Sequence, residues 1–585
     1  MEHFYSVEKN IQMLLALLKA HGIKRIIASP GGTNLAFVAS AQHDSYFEMY
    51  SCVDERSAAY MACGMAAESG EPVVLSCTGA TASRNYMPGL TEAYYRKLPV
   101  LAVTSSRAEQ QLGQLRPQIT NRSVLPDDIV MEHVVAPFIV DANTERLCRV
   151  AINKAILSLS HNGGGPAHID LYTLSSTDFS VETLLDVCPI HRYSIDDQFP
   201  QIQHGKIVIF IGSHKVFSYE EVASIERFCE IHNSVVFTDH TSNYYGKYSF
   251  PSALILGQNE YHGVLRNPDL LIHIGEISGD YYTTNMNPNE VWRVSEDGEI
   301  RDLFGSLTNV FEMPICKFFE KYCCDEIIKE NSLYKDCLTE YNTILQSIPE
   351  LPFSNAWIAQ NLSSRIPQNS VIHFGILNSL RCWNFFELPQ SVRSDCNVGG
   401  FGIDGTMSTL IGASQIYSNQ LYYAVLGDLG FFYDLNALGN RHIGKNVRIL
   451  LINNGLGQEF KNPGYVSNYH FETKTDAYIA AKGHYACQSR NLVKHYAEDL
   501  GFDYISAENK EEFITNSVKF ISEEIDRPIL FEIFTNTDEE TKALDDILNV
   551  IPHTEQSLST SKRIKKAIKS ILPEQKISAI KTLLS

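Results

Sequence analysis

The sequence lacks several features that would assign the protein to a special class. Its thirteen cysteines include no C-x-x-C pair, so the sequence predicts neither a zinc site with paired ligands nor a regular disulfide framework. No apolar run approaches the roughly 18 residues needed to span a bilayer. The N-terminal segment "MEHFYSVEKNIQMLLALLKAHG" has neither the basic region nor the cleavage site that marks a signal peptide. We therefore expect reduced thiols and a cytoplasmic protein.

Positive charge is also scarce. The 48 Lys and Arg are outnumbered by 68 Asp and Glu, which gives a net charge of -20. This balance excludes general nucleic-acid binding, because phosphate contacts need clustered basic residues. One segment is the exception, since residues 562–585 carry seven Lys or Arg and one Glu. They belong to a predicted basic amphipathic tail at 556–585, which would lie on the inner face of a membrane, dock on a partner or pack on its own chain.

The chain is rich instead in short apolar runs that alternate with helical patterns. Strands are predicted at "RIIASP", "PVVLSC" and "PVLAVTSS", then at "KIVIFIGS" and "DLLIHIG", and finally at "YYAVLGD" and "VRILLINN". Strands that alternate with helices form parallel βαβ units. The sequence therefore predicts an α/β fold with three doubly wound parallel-sheet domains, at residues 1–180, 200–325 and 350–550, joined by polar linkers.

Two of these runs end on polar side chains that suit a metal. "YYAVLGD" ends on Gly427-Asp428 and "VRILLINN" ends on Asn453-Asn454. A right-handed crossover makes the two strands parallel neighbours, so both ends lie at the ligand-binding edge of the sheet. A carboxylate and an amide oxygen are ligands for Mg²⁺, which completes its shell with substrate phosphates and water. The alternative is structural, with Asp428 capping a helix and the asparagines forming a turn.

A second motif nearby favours a different cofactor. "GFGIDG" at residues 400–405 matches G-x-G-x-x-G, and Asp428 follows some twenty residues later. That spacing is typical of a dinucleotide site, but only when a buried strand precedes the glycines. The preceding "LPQSVRSDCNVG" is a poor buried strand, which disfavours NAD or FAD at this position.

The segment from Gly427-Asp428 to Asn453-Asn454 resembles the thiamine-diphosphate motif, which begins with Gly-Asp and ends with Asn-Asn. "GDLGFFYDLNAL", "NVGGFGIDGTMST", "SPGG", "DERSAAYMACGMA" and "NGLGQEF" are most similar to segments of the menaquinone-pathway 2-succinyl-5-enolpyruvyl-6-hydroxy-3-cyclohexene-1-carboxylate synthases. The resemblance covers nearly the whole chain. It implies that the three predicted domains are the pyrimidine-binding, central and diphosphate-binding domains of a thiamine-diphosphate enzyme.

The resemblance also implies a role for each matching residue. Asp428, Asn454 and the backbone carbonyl of Leu456 would bind Mg²⁺. Glu55 would hydrogen-bond the aminopyrimidine ring, and Gln118 would face the reacting centre. The other residues implied to contact the cofactor are Asn378, Ser379, Ile403, Gly427, Leu429, Gly430 and Gly457, with Ile403 as the apolar support that bends it.

Such enzymes decarboxylate a 2-oxoacid donor and pass the acyl-anion equivalent to an acceptor, and the cofactor carries the chemistry. Glu55 follows the apolar run "FEMYSCVD" at a predicted strand–helix junction. A carboxyl shielded from water there would hold a proton against a ring nitrogen. The resemblance further implies a homodimer or homotetramer in which Glu55 and Asp428 of one active site come from different chains.

The substrate positions depart from the family pattern. The family's synthases bind 2-oxoglutarate and isochorismate with several arginines, whose planar forks grip carboxylates. Here Gly32-Thr33 replaces Ser-Arg, Val398 replaces an Arg, and Glu459 replaces an Ile. We therefore expect a different and more polar substrate. The other candidate substrate residues are Arg84, Arg107, His373, Gln458 and Lys461.

Taken together, these features predict a thiamine-diphosphate- and Mg²⁺-dependent enzyme that decarboxylates a 2-oxoacid and ligates the product to an acceptor, in surface-polysaccharide or secondary metabolism. Two alternatives share the cofactor: a simple 2-oxoacid decarboxylase, and the menaquinone-pathway synthase itself. A hypothesis from another class is a non-catalytic cofactor-binding scaffold recruited through the tail. The presence of Glu55, Asp428 and Asn454 argues against the scaffold.

Overall fold

The structure, a computed structural model, describes residues 4–122, 124–203, 205–323, 330–524 and 526–552. The predicted basic tail at 556–585 lies outside these ranges. Contacts divide the chain into two compact units, Met1–Phe199 with Ser295–Met313 and Pro200–Val294 with Pro314–Ser585. Each cysteine in the described ranges is a free thiol. No helix in these ranges is long and apolar enough to cross a membrane.

Nineteen strands are assigned within the described ranges. In chain order they are β1 Arg25–Ala28, β2 Glu48–Ser51, β3 Val73–Thr78, β4 Val100–Ser106, β5 Glu132–Ala136, β6 Ala167–Tyr172, β7 His191–Tyr193, β8 Ile207–Ile211, β9 Val235–Thr238, β10 Ser249–Pro251, β11 Leu270–Ile274, β12 Glu290–Ser295, β13 Leu307–Glu312, β14 Val371–Phe374, β15 Arg393–Cys396, β16 Tyr422–Gly427, β17 Val447–Asn453, β18 Asp503–Ala507 and β19 Ile529–Phe534.

The α-helices of the same ranges alternate with these strands. They are α1 Lys9–Ala20, α2 Leu35–His43, α3 Glu55–Ser69, α4 Thr81–Asn85, α5 Met87–Arg96, α6 Ala142–Ser158, α7 Tyr219–His232, α8 Ala253–Leu256, α9 Ile315–Lys321, α10 Ser332–Gln346, α11 Asn355–Leu362, α12 Asn378–Trp383, α13 Thr406–Ser414, α14 Asp428–Tyr433, α15 Val466–Phe471, α16 Leu492–Asp499, α17 Lys510–Phe520 and α18 Thr537–Leu548.

The first unit contains a six-stranded parallel sheet in the order β2-β1-β3-β4-β6-β5. Successive side chains of a strand point to opposite faces of the sheet, so they pack into two different hydrophobic cores. Val74 packs with the α1 side of the sheet, whereas Val73 and Leu75 pack with the α3 and α5 side. Helices therefore cover both faces, as the doubly wound pattern predicts.

The second unit contains two further groups of parallel strands. One has the order β10-β9-β8-β11-β12, and the other has the order β15-β14-β16-β17-β19-β18. In the latter group, β16 and β17 are buried along almost their whole length, as expected for a parallel sheet with both faces covered. The α/β fold with three parallel sheets is thus confirmed, whereas the domain boundaries given above stay predictions.

The structure changes some local expectations. The polar segment between the first two predicted domains was expected to be a linker, but it contains β7, which pairs in parallel with β13. The crossover between β16 and β17 is not one helix, since α14 ends at Tyr433 and a 3₁₀ helix, Leu435–Gly439, follows. These short elements carry little periodicity, so the sequence pattern could not resolve them.

Candidate active site

The two predicted metal ligands, Asp428 and Asn454, follow the carboxyl ends of the adjacent strands β16 and β17. Gly427 at the end of β16 is in register with Ile452 of β17. Asp428 and Asn454 therefore leave the sheet side by side, as crossover geometry requires. Asp428 does not cap α14, because it is the first residue of the helix and Gly427 occupies the capping position. The capping alternative for Asp428 is wrong.

Asp428 is a buried carboxylate with little to neutralise it. Its side chain is 6% exposed. Burial raises its pKa to about 7, against the opposing effect of the N–H groups of Leu429 and Gly455. The Leu429 N–H donates to Oδ1 at 3.0 Å. No Lys, Arg or His of the described residues forms an ion pair with it. Because an unpaired buried charge is costly, this site fits a bound cation.

The two adjacent asparagines have different partners. Asn453 donates to Oε1 of Glu532 at 2.6 Å, within the sheet. Asn454 lies beyond the strand end, where its Nδ2 contacts Oε1 of Gln458 at 3.4 Å and its Oδ1 accepts the Leu456 N–H at 3.3 Å. Asn453 therefore anchors β17 to β19, whereas Asn454 makes only local contacts beyond the strand end. Within the described ranges there is no cluster of three or more His, Cys, Asp or Glu that could hold a metal, so a metal here would need carbonyl, amide or phosphate oxygens as well.

Two glycines, Gly430 and Gly457, pack closely against neighbouring residues in the segments around Asp428. A Cβ on Gly430 would lie 3.1 Å from the carbonyl oxygen of Ile403, and a Cβ on Gly457 would lie 3.3 Å from a methyl group of Leu429. The loop that carries Ile403 thus rests against the first turn of α14. A Cβ on Gly427 would meet nothing within 4 Å, so the backbone at this position is open to a close approach by a group such as a diphosphate.

Asn378 and Ser379 begin α12 in the same unit. Oδ1 of Asn378 accepts from Nδ2 of Asn462 at 3.2 Å, and Ser379 is buried. The "GFGIDG" loop precedes α13, but β15 before it lies at the sheet edge, and β14 separates β15 from β16. That arrangement differs from a dinucleotide site, where the acidic residue ends the strand next to the glycine loop.

In the first unit, Glu55 is the first residue of α3, and its Oε2 accepts from Asn85 Nδ2 at 3.1 Å. The helix is capped by Asp54, which accepts from the Ser57 N–H at 2.9 Å, so Glu55 is not needed as a cap. Within one chain Glu55 is only half-buried, and Gln118 is exposed with φ at +64°.

The other candidate substrate residues of the first unit have varied surroundings. The hydroxyl of Thr33 donates to the Ser105 carbonyl at 2.8 Å, and Arg107 donates to the Thr173 carbonyl at 3.2 Å. Gly32 and Arg84 are exposed.

Several candidate substrate residues of the second unit already have partners in the chain. Oε2 of Glu459 accepts from Arg381 at 2.5 Å, and Lys461 donates to Asp476 at 2.8 Å. Gln458 bonds Thr537 at 2.8 Å and Thr541 at 3.1 Å. Glu459 is therefore one member of a buried ion pair, and Lys461 is one member of a partly buried ion pair.

His373 and Val398 line a separate cleft of about 880 Å³ in the second unit. His373 bonds Oδ1 of Asn397 at 3.0 Å, and burial lowers its pKa. The structure therefore groups Asp428, Asn454, Leu456, Gly430 and Ile403 together. It places His373 and Val398 along a different surface.

Sequence reasoning missed two residues that hydrogen-bond predicted site residues, one in each unit. Asn85 donates a hydrogen bond to the Glu55 carboxylate. Nδ2 of Asn462 donates to Oδ1 of Asn378 and to Oε2 of Glu459, at 3.2 Å in both cases. Asn462 precedes Pro463-Gly464 and is typical of a turn. Asn85 lies thirty residues from its partner. No local pattern marks such contacts.

Comparisons with known proteins agree on a family. A family model described as "Thiamine pyrophosphate enzyme, N-terminal TPP binding domain" matches residues 9–125. The 2-succinyl-5-enolpyruvyl-6-hydroxy-3-cyclohexene-1-carboxylate synthase of Bacteroides thetaiotaomicron is 31% identical over 568 residues, covering 93% of this chain and 98% of the relative. The synthase of the same name from Bacteroides fragilis is 31% identical, with 93% and 99% covered. That of Christiangramia forsetii is 28% identical, with 91% and 96% covered.

Proposed function

Because the chain belongs to the thiamine-diphosphate-dependent enzymes, in the family of the 2-succinyl-5-enolpyruvyl-6-hydroxy-3-cyclohexene-1-carboxylate synthases, we propose that it releases CO₂ from a 2-oxoacid and joins the remaining acyl group to an acceptor. The observation that carries this proposal is the buried carboxylate of Asp428, without an ion-pair partner, beside Asn454. The reaction of the named relatives is an alternative that keeps the same cofactor. The 31% identity of the two Bacteroides synthases over 93% of the chain makes it the first activity to test.

The chain's residues would bind and orient the cofactor. Asp428, the Asn454 amide oxygen and the Leu456 carbonyl would hold Mg²⁺, and the glycines of α14 would admit the diphosphate. When bound, thiamine diphosphate would supply a nucleophilic carbon for the carbonyl of a 2-oxoacid and an electron sink for the charge left by CO₂. Glu55 would hold a proton at the aminopyrimidine ring, with Asn85 fixing the carboxyl. A second copy of the chain would complete each site.

A second candidate keeps this cofactor and reaction type but changes the substrates. It is favoured by the Arg381–Glu459 ion pair, 2.5 Å long and buried at both ends. An arginine held by an internal carboxylate is not available to grip a substrate carboxylate. This candidate predicts weak use of dicarboxylic donors.

The assay separates these functions. Purified protein with thiamine diphosphate and Mg²⁺ is given 2-oxoglutarate or pyruvate, each with and without isochorismate, and both CO₂ and ligated product are measured. Product from 2-oxoglutarate that requires isochorismate supports the reaction of the named relatives. CO₂ without an acceptor supports a simple decarboxylase. No turnover and no cofactor binding would contradict the enzyme hypothesis.

Asp428→Asn tests the metal site directly. The amide removes the negative charge that Mg²⁺ would neutralise, so we expect Mg²⁺-dependent thiamine-diphosphate binding to weaken at least tenfold, measured by titration calorimetry. Asp499→Asn, on the exposed end of α16, is the control and should bind like the wild type. Equal affinities of both variants would exclude Asp428 as a ligand.

A further inference from the structure

The orientation of the Asn454 side chain matters because only one end of an amide can bind a cation. The amide oxygen is a suitable ligand for Mg²⁺, whereas the NH₂ group would point its hydrogens at the metal. The two ends have nearly the same size and shape, so packing alone does not distinguish them. Hydrogen bonds from neighbouring residues must therefore determine which end of the amide faces a bound metal.

A chain of hydrogen bonds leads from Asn454 to helix α18. Nδ2 of Asn454 donates to Oε1 of Gln458 at 3.4 Å. The same Gln458 oxygen accepts from the Thr537 hydroxyl at 2.8 Å, and Gln458 Nε2 donates to the Thr541 hydroxyl oxygen at 3.1 Å. The Thr541 hydroxyl in turn donates to the Lys461 carbonyl at 3.1 Å. These bonds connect the residue after β17 with the first two turns of α18.

The direction of this chain is determined at its far end. A backbone carbonyl can only accept, so the Lys461 carbonyl uses the single hydroxyl hydrogen of Thr541. The Thr541 oxygen must then accept from Gln458, which turns the Gln458 nitrogen towards α18. The Gln458 oxygen faces Thr537 and Asn454 instead, so Asn454 presents its nitrogen to it. A reversed Asn454 amide would place its oxygen against the oxygen of Gln458.

The end of the Asn454 amide that this chain leaves for a ligand is its oxygen. Oδ1 accepts from the Leu456 N–H at 3.3 Å, and an amide oxygen has a second lone pair for a cation. The Gly455 N–H opposes the rise that burial causes in the pKa of Asp428, so this segment adjoins the first candidate metal ligand. Gln458 is 5% exposed, so water has little access to the bonds that hold it.

We propose that Gln458, held by Thr537 and Thr541, positions the Asn454 amide so that its oxygen faces the metal. The inference rests on the proposed function and goes beyond it, because it assigns the residues that orient a neutral ligand of the candidate Mg²⁺ site. Residues behind a metal ligand commonly fix its orientation, and their replacement costs about ten- to a hundredfold in metal affinity. The sequence predicts Gln458 as a substrate residue, whereas this proposal makes it a positioning residue.

Replacement of Gln458 in two backgrounds tests the proposal. Mg²⁺ affinity is measured by calorimetric titration of the full-length protein in excess thiamine diphosphate. Gln458→Leu should weaken Mg²⁺ binding at least tenfold, because the Asn454 nitrogen loses its acceptor. In the Asn454→Asp background the same substitution should weaken it by less than threefold, because a carboxylate offers an oxygen in either orientation. An equal loss in both backgrounds would indicate packing rather than orientation and would overturn the inference.

The other outcomes separate this inference from the proposed function. A loss below tenfold in Gln458→Leu, or no Mg²⁺ binding by Asn454→Asp alone, overturns the inference and leaves the proposed function standing. No Mg²⁺-dependent binding of thiamine diphosphate by the wild type overturns both. Thr515→Val, which removes a hydroxyl that bonds the Glu511 carbonyl within α17, is the control and should bind like the wild type. If Gln458→Leu does not fold, Thr541→Val takes its place, with a loss of at least threefold expected in the wild-type background alone.

Discussion

At the scale of single residues, the first unit holds a buried polar network on β4, β5 and β6. Asp170 bonds Arg122 at 2.8 Å and the Thr104 hydroxyl at 2.7 Å, and Thr104 also bonds His168 at 2.8 Å. The His133 and His168 rings stack at 4.8 Å. Despite its burial, the nearby histidines and Arg122 hold the pKa of Asp170 below its ordinary value. The network places a charged pair and a neutral histidine in one core.

His168 makes this network sensitive to acid. Burial lowers its pKa to about 4. Below its ordinary pKa of about 6.5, the unfolded chain binds a proton that the folded chain excludes, so stability is lost as pH falls from about 6.5 to 4. This lowering of the His168 pKa corresponds to about 3 kcal/mol in the free energy of unfolding. We expect His168→Gln to be less stable than the wild type at pH 7.5, and the difference to shrink towards pH 4 in urea unfolding. Parallel pH curves would contradict the assignment.

At the scale of elements, the Ile403 loop lies against the first turn of α14, next to the candidate metal site. A Cβ at Gly430 would lie 3.1 Å from the Ile403 carbonyl oxygen, closer than ordinary van der Waals contact. Gly430→Ala should therefore push this loop outward and weaken thiamine-diphosphate binding several-fold, with a smaller effect on the melting temperature. The matched control is Gly439→Ala, where a Cβ meets nothing within 4 Å. Equal cofactor affinities would show that the loop position does not matter.

The same scale shows how far sequence patterns reach. "YYAVLGD" and "VRILLINN" predicted β16 and β17 because strands buried on both faces are continuous apolar runs. β7, three residues long, escaped notice because its partner β13 lies more than a hundred residues away.

At the scale of the whole molecule, the family resemblance predicts sites shared between two copies. Glu55→Gln and Asp428→Asn should each be nearly inactive alone. In a co-expressed mixed dimer, one site would combine the intact Glu55 of one chain with the intact Asp428 of the other. If both variants are made in equal amounts and pair at random, half of the dimers are mixed and have one of two sites intact, so about a quarter of wild-type activity should return. No recovery, with mixed dimers isolated by two affinity tags, would contradict shared sites.

The sequence by itself determined the α/β class, the cofactor family and the pairing of Asp428 with Asn454. The class and the pairing follow from local apolar runs and from the rule that a crossover brings parallel strand ends to one edge. The cofactor family follows from the resemblance of the motifs to those of a known family. Only the tertiary structure decided the electrostatic state of the site. It showed that Asp428 is buried without an ion-pair partner among the described residues, and that Arg381 forms a buried ion pair with Glu459. Burial and pairing depend on residues far apart in the chain, and no local pattern records them.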